Sequence, residues 1–203
     1  MAKILPDGRI EYDQITKPEV VQANYLASRQ DEHWIDDLIN GYTGLMPWNW
    51  GLPPCSHTEI GVWLDDEPWF FSSTSRKELG GKNGTRWIKG IDMLRNPERW
   101  LLQTKTLSGK AQVAIRISGA NKLIGLGYDF YGVVTDFINP IRVCFKGDMY
   151  ESTPKKIYCS KAVHAVDTGE IIVVSPKRRY KIAKKLGYKT IDDTWQWVQD
   201  NVR

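Results

Sequence analysis

Around residues 58–64 the chain alternates. Ile60, Val62 and Leu64 fall on one side, and His57, Glu59, Gly61 and Trp63 on the other. A period of two is the spacing of a strand, whose successive side chains point to opposite faces. Asp65-Asp-Glu-Pro68 breaks the run, and Trp69-Phe-Phe-Ser-Ser73 reads as the return strand of a hairpin. Residues 85–89 and 100–106 predict two more strands, separated by Asn96-Pro-Glu-Arg99. Near the start, Pro6-Asp-Gly8 is a turn signal between short apolar runs and predicts a small hairpin within residues 1–17.

Elsewhere the spacing is three and four. Residues 31–46 carry Trp34, Ile35, Leu38, Ile39 and Tyr42 at helical positions, and residues 18–30 predict a further helical stretch. Residues 47–54 hold three prolines and a glycine and must be irregular. Residues 110–126 read mainly as helix, although their first part also alternates like a strand. A buried helix is expected over 128–138, stopped by Asn139-Pro140, then a connection over 141–157 with a short strand at 143–145. A helix starting at Cys159 ends at Gly169. Ser175-Pro176 opens another, with Ser as the cap and Pro at the first helical position. Thr194-Trp-Gln-Trp-Val-Gln belongs to a last amphipathic helix.

Composition narrows the function. With 41% hydrophobic and 26% charged residues, the 203-residue chain suits a folded domain rather than a disordered one. No apolar run approaches the roughly 18 to 20 residues of a membrane span, and the N-terminus lacks the apolar core of a signal peptide, so a cytoplasmic site of synthesis is expected. The net charge of +4 is modest. The densest basic run, Lys177-Arg-Arg-Tyr-Lys-Ile-Ala-Lys-Lys185, reads as a solvated helix face with Ile182, Ala183 and Leu186 turned inward. It lacks the aromatic interleaving of a stacking surface, so no nucleic-acid partner is expected. The three cysteines, Cys55, Cys144 and Cys159, are widely spaced and fit free thiols; no zinc pattern is present, and no metal or cofactor is expected.

One of those thiols stands out. Cys159 falls where a helix begins, beside unpaired backbone N–H groups whose partial positive charge favours a thiolate. A thiolate nucleophile needs a base, and His57, at the head of its strand, is the candidate. His33 reads as a solvent-facing histidine. His164 is five residues past Cys159 on the same helix, which turns it about 140° away. A third polar group should orient the imidazole: Glu59 shares a strand face with His57, and Ser72 or Ser73 lies on the neighbouring strand. Glu59 is preferred, because a carboxylate stabilises an imidazolium better than a hydroxyl does. Trp48, Trp50 and Trp63 could wall a cleft or plug the core.

Four stretches, in order, carry a family resemblance. They are Ser56-His-Thr-Glu-Ile-Gly-Val62; Ser72-Ser-Thr-Ser75 with Gly80-Gly and Gly84-Thr-Arg-Trp; Tyr128-Asp-Phe-Tyr-Gly132; and Tyr158-Cys-Ser-Lys-Ala-Val163. Together they resemble the circularly permuted NlpC/P60 papain-like proteins, the phage-encoded members especially. There, as here, the histidine strand precedes the cysteine helix. The resemblance covers roughly residues 35 to 187. It implies an α+β fold, a papain-like antiparallel sheet packed against helices, with residues 1–30 as an N-terminal extension and 31–203 as the hydrolase domain.

The same resemblance implies a cysteine hydrolase cleaving an amide or ester, with Cys159, His57 and Glu59 catalytic and Ser73, Tyr128, Tyr158 and Trp48 contacting substrate. Its partner would be a peptide, a cell-wall fragment or an acylated compound, and a phage-encoded member could be virion-associated. In that family the residue before the cysteine is commonly Asp and meets a substrate amine. Here it is Tyr158, so the usual cell-wall peptide specificity is not implied. A lipid acyl hydrolase or acyltransferase with the same dyad, and a non-catalytic phage structural or binding protein, are the alternatives.

Overall fold

The computed structural model describes residues 1–26, 50–75, 83–129, 132–133, 155–172 and 174–202. Lys3–Ile4 (β1) pairs with Ile10–Glu11 (β2) around Pro6-Asp-Gly8, forming the hairpin its turn signal predicts. Ile15–Leu26 (β3), Cys55–Leu64 (β4), Glu67–Thr74 (β5), Gly84–Lys89 (β6) and Trp100–Thr106 (β7) follow. Between β6 and β7 come a short helix, Gly90–Met93 (α1), and a 3-10 turn, Pro97–Arg99. The later elements are Lys110–Leu123 (α2), Gly127–Tyr128 (β8), Lys156–Ile157 (β9), Cys159–Thr168 (α3), Pro176–Lys185 (α4), Lys189–Thr190 (β10) and Thr194–Asn201 (α5).

Six of these strands form one antiparallel sheet, in the order β10-β7-β3-β4-β5-β6. With five helices among the described residues, the fold is mixed α and β around an antiparallel sheet. β8 and β9 form a separate parallel pair. No described helix is long and apolar enough to cross a membrane.

Both faces of the sheet are covered, so β4, which alternates apolar and polar, is buried along its whole length. Ile60, Val62, Leu64, Trp69, Phe71 and Trp87 meet Val113, Ile117 and Ala120 of α2 and Ala162, Val163 and Val166 of α3 in one core. Val21, Ala23, Phe70, Ile88, Trp100 and Leu102 form the other, with Met93 of α1 and half-buried Trp197 and Val198 of α5. Gly61 is required where it stands: a Cβ there would lie 2.6 Å from a carbon of the Phe70 ring that crosses it. The β4–β5 turn is tight, with Asp65 and Asp66 at φ 50° and 67°, the left-handed values that match the twist of a two-residue hairpin. Asp65 is held there by the backbone N–H groups of Asp13 and Gln14.

The main correction concerns residues 18–30. Residues 18–26 of the predicted helix are the greater part of β3, an interior strand paired with β4 on one side and β7 on the other, and 27–30 lie outside the described residues. Its buried polar residues bond sideways: the Gln22 amide N–H group donates to Asn24 and Gln103, and Asn24 accepts from the Thr58 hydroxyl. β3 also falls within the stretch the sequence sets apart as an extension, yet it lies inside the sheet.

Tyr128, expected to open a helix, is in β8 instead, where it pairs with Ile157. Lys177 and Arg179 of the basic run are buried rather than solvated. The expected helix at 31–46, His33, Trp48, the loop at 76–82, residues 134–138 of the predicted buried helix, the strand at 143–145 and Cys144 lie outside the described residues.

Candidate active site

The β4–β5 ladder ends at the pair Ile60–Phe71, although both strands continue past it. At this split Thr58 has neither backbone group paired to β5. Its carbonyl accepts from the Ser72 hydroxyl at 2.8 Å, and its N–H points to the sulfur of Cys159. The split explains how a helix packed on one face of the sheet meets a histidine on the other. α3 packs with Ile60 and Val62, whereas His57 and Glu59 share the opposite face of β4.

The chain on either side of Cys159 is tied down at three points. Ser73 donates to the Ile157 carbonyl at 2.6 Å, the Tyr158 hydroxyl accepts from the Val174 N–H at 3.3 Å, and the Ser160 hydroxyl donates to the Val174 carbonyl. Tyr158 is the N-cap of α3 but supplies no side-chain cap, so the first N–H groups of the helix stay available. That of Ser160 turns to the Cys159 sulfur. At the far end Gly169 closes the helix at φ 82°, as expected.

Cys159, His57 and Glu59 are brought together. The thiol and the imidazole are hydrogen-bonded, and His57 Nε2 lies 3.1 Å from Glu59 Oε1. Arg86 is 7% exposed and completes the line. Its Nη2 donates to Glu59 Oε1 at 2.9 Å and its Nη1 to Oε2 at 3.4 Å. Arg86 is opposite Ser72 on β5, so its side chain crosses a small serine, over about 10 Å of strand spacing, to reach β4. The ring of Trp100 stands edge-on to His57, 6.5 Å between centroids, and walls its other side. Neither Arg86 nor Trp100 was named as a site residue from sequence; only the strand register brings them in.

Burial works against every charge here, and the partners overcome it. Desolvation pulls the His57 imidazole down, but the Cys159 sulfur and the Glu59 carboxylate raise it to about 9. Desolvation pushes Glu59 up, but the Arg86 charge and the His57 contact bring it to about 2. Desolvation also pushes the Cys159 thiol up; the facing imidazolium and the Thr58 and Ser160 N–H groups outweigh it and hold the thiol below its ordinary value. Cys55 has only the Lys177 charge against burial, which pushes it to about 12. The arrangement favours a thiolate facing an imidazolium.

The candidate substrate residues fare differently. Ser73 and Tyr158 are interior, their hydroxyls engaged by backbone, which makes them struts for the Cys159 loop. Tyr128 is half-buried beside Ile157. Trp48 is outside the described residues. Trp63 does not join a cleft at the dyad: it is 2% exposed, packs 5.9 Å from Trp197, and lies about 20 Å along β4 from His57. It lines a cavity of about 420 Å³ with Lys17, Asp66, Glu67, Asp200 and Asn201, at the end of the strand away from the chemistry. Among the described residues, no group of three or more His, Cys, Asp or Glu side chains is placed to hold a metal. Comparison with protein-family models, with curated proteins and with solved structures returns no match.

Proposed function

We propose that this chain is a cysteine hydrolase of papain-like type, related to the circularly permuted NlpC/P60 proteins and acting on the acyl carbon of an amide or ester. The observation that carries the reading is the buried line Cys159–His57–Glu59, in which the thiol is lowered and the imidazole raised. A free structural cysteine gains nothing from such an arrangement; Cys55, equally buried, shows the ordinary outcome.

The Cys159 thiolate attacks the acyl carbon, and the imidazolium of His57 passes its proton to the departing amine or alcohol as the C–N or C–O bond breaks. Water then attacks the thioester. His57 takes its proton, and the thiolate leaves with the carboxylic acid released. The N–H groups of Thr58 and Ser160 that face the sulfur are backbone donors beside it for the oxyanion. Tyr158 brings no carboxylate to the position that meets an amine in the resembling family, so a free N-terminal amine is not what this site selects.

The test is a panel assay with purified peptidoglycan, free-amine muropeptides, acidic peptide amides and anionic lipid esters, using wild type and Cys159→Ser. Turnover of an acidic amide or ester by wild type alone supports the proposal. A clear preference for free-amine muropeptides would restore the family specificity. No turnover of any substrate would favour a binding role.

A further inference from the structure

Glu59 has three polar neighbours, and all are donors or can be. Oε1 faces His57 Nε2 and Arg86 Nη2, and Oε2 faces Arg86 Nη1. A guanidinium has five N–H donors and no acceptor. A protonated Glu59 would donate to a neutral His57 Nε2 and leave the buried Arg86 guanidinium without a counter-charge, in a site where Glu59 has no solvent exposure. The carboxylate meets all three contacts and balances that charge. A carboxylate accepts and cannot donate, so the His57 nitrogen facing it must carry the hydrogen. With Nε2–H committed to Glu59, Nδ1 is the nitrogen left for Cys159.

We infer that Arg86 is a positioning residue for the dyad: by holding Glu59 as an acceptor-only carboxylate, it fixes the His57 proton on Nε2 and leaves Nδ1 to exchange a proton with Cys159. Arg86 touches neither the sulfur nor a reacting carbon and acts through Glu59 alone. The other groups around His57 do not compete. Tyr25 of β3 lies alongside it, with its hydroxyl taken by Arg99 at 2.8 Å, and Trp100 of β7 offers a ring edge. Cys159 of α3 and Arg86 of β6 are the charged groups that face the pair. The four charges alternate in sign from Arg86 to Cys159, so each is stabilised by its neighbour.

The inference rests on the dyad reading but is tested without hydrolysis. The full chain is alkylated with iodoacetamide across pH, and the rate at Cys159 is followed by peptide mass spectrometry. In the wild type the rate falls at low pH, where the thiolate–imidazolium pair is lost. In Arg86→Met, Glu59 takes a proton at higher pH and stops supporting the imidazolium. The acid limb should move up by about one pH unit, a tenfold loss of rate at a fixed pH on that limb. Adding Glu59→Gln should move it no further than Glu59→Gln alone, because both act on one carboxylate. Arg86→Lys, which keeps the charge without the fork, should move it less and serves if the Met variant does not fold.

Imidazole 15N shifts give a second readout. Above pH 9 the wild type should show the Nε2–H tautomer and Arg86→Met a mixture. An unmoved acid limb and an unchanged tautomer in the folded variants would overturn the inference and leave Arg86 a structural residue. A protein that shows the shift yet cleaves nothing would sink only the hydrolase proposal.

Discussion

His57 and His164 are equally buried, each 4% exposed, and their imidazoles are driven in opposite directions. His57 is raised to about 9, because a thiolate and a carboxylate face it. His164 is lowered by burial and by the nearby Arg179 charge, and among the described residues neither of its nitrogens has a hydrogen-bond partner. The carboxylates beside them make the same point. Glu59 is gripped by Arg86, and Asp167 by Arg116 at 3.0 Å and Arg179 at 2.5 Å. Both are buried acid–guanidinium clusters, and both acids are held below their ordinary values. The Asp167 cluster ties α2, α3 and α4 together and involves groups that stay charged at any ordinary pH. The Glu59 cluster ends on a histidine and a cysteine, whose protons can move. Burial and ion pairing alone therefore do not mark a reactive site. What sets the Glu59 cluster apart, and supports the proposed reactivity, is a titratable pair whose proton can be exchanged.

The comparison breaks most sharply at the nucleophile. Cys159→Ser or His57→Ala should lower hydrolysis by at least about three orders of magnitude while leaving the fold in place, read as kcat/KM beside a thermal melt. The two acids should then separate. Glu59→Gln is expected to cost roughly two to four orders of magnitude in kcat/KM, the usual weight of general acid–base support. Asp167→Asn should instead destabilise the fold by about 3 to 5 kcal/mol, since two buried guanidiniums lose their counter-charge, and leave Cys159 alkylation in the folded protein unchanged. If Asp167→Asn slowed alkylation as much as Glu59→Gln, the two clusters would be one network and the contrast would fail.

Stability should follow pH through the same groups. Glu59 is lowered on folding, so its contribution is present above the ordinary glutamate range and is lost as pH falls towards about 2. His57 is raised, so its contribution is full below the ordinary histidine value and is lost as pH rises through about 9. Denaturant midpoints across pH should fall on both sides, and Glu59→Gln should flatten the acid side. The smallest effect belongs to His164→Leu. A neutral, unpartnered imidazole replaced by a side chain of similar volume should change stability by less than about 1.5 kcal/mol and leave the alkylation profile alone. A displaced profile would mean that His164 is coupled to the dyad after all.

Much of this was legible in the chain. The alternation through β4 separates Ile60 and Val62 from His57 and Glu59, and the structure keeps that division. Ser175 accepts from the Arg178 N–H with Pro176 next to it, as the cap signal predicts. β3 was missed because Glu19, Gln22, Ala23 and Leu26 have good helical preference and sit three and four apart. Pairing on both sides overrode that preference. The missed signal was the period-two set Val21, Ala23 and Tyr25, which forms the apolar face of the strand.

Arg86 escaped for a different reason. Next to a polar loop it reads as a surface cation, and its reach to Glu59 depends on two successive strand registers that no local pattern encodes. Tyr158 was misplaced by position alone: adjacency to the nucleophile suggests contact with substrate, yet its ring is packed inside. The basic run at 177–185 hid Arg179 in the same way, since its partner Asp167 lies on another helix.

The most direct test of the account is the pH profile of thiol alkylation, with Cys55, Cys144 and Cys159 resolved by peptide mapping. The account predicts that Cys159 reacts first near neutral pH and that its acid limb lies below the range of an ordinary thiol. Cys55 should stay inert until the protein unfolds, and His57→Ala should remove the Cys159 advantage. Faster labelling of Cys55 or Cys144 in the folded protein, or a Cys159 profile indifferent to His57→Ala, would contradict it.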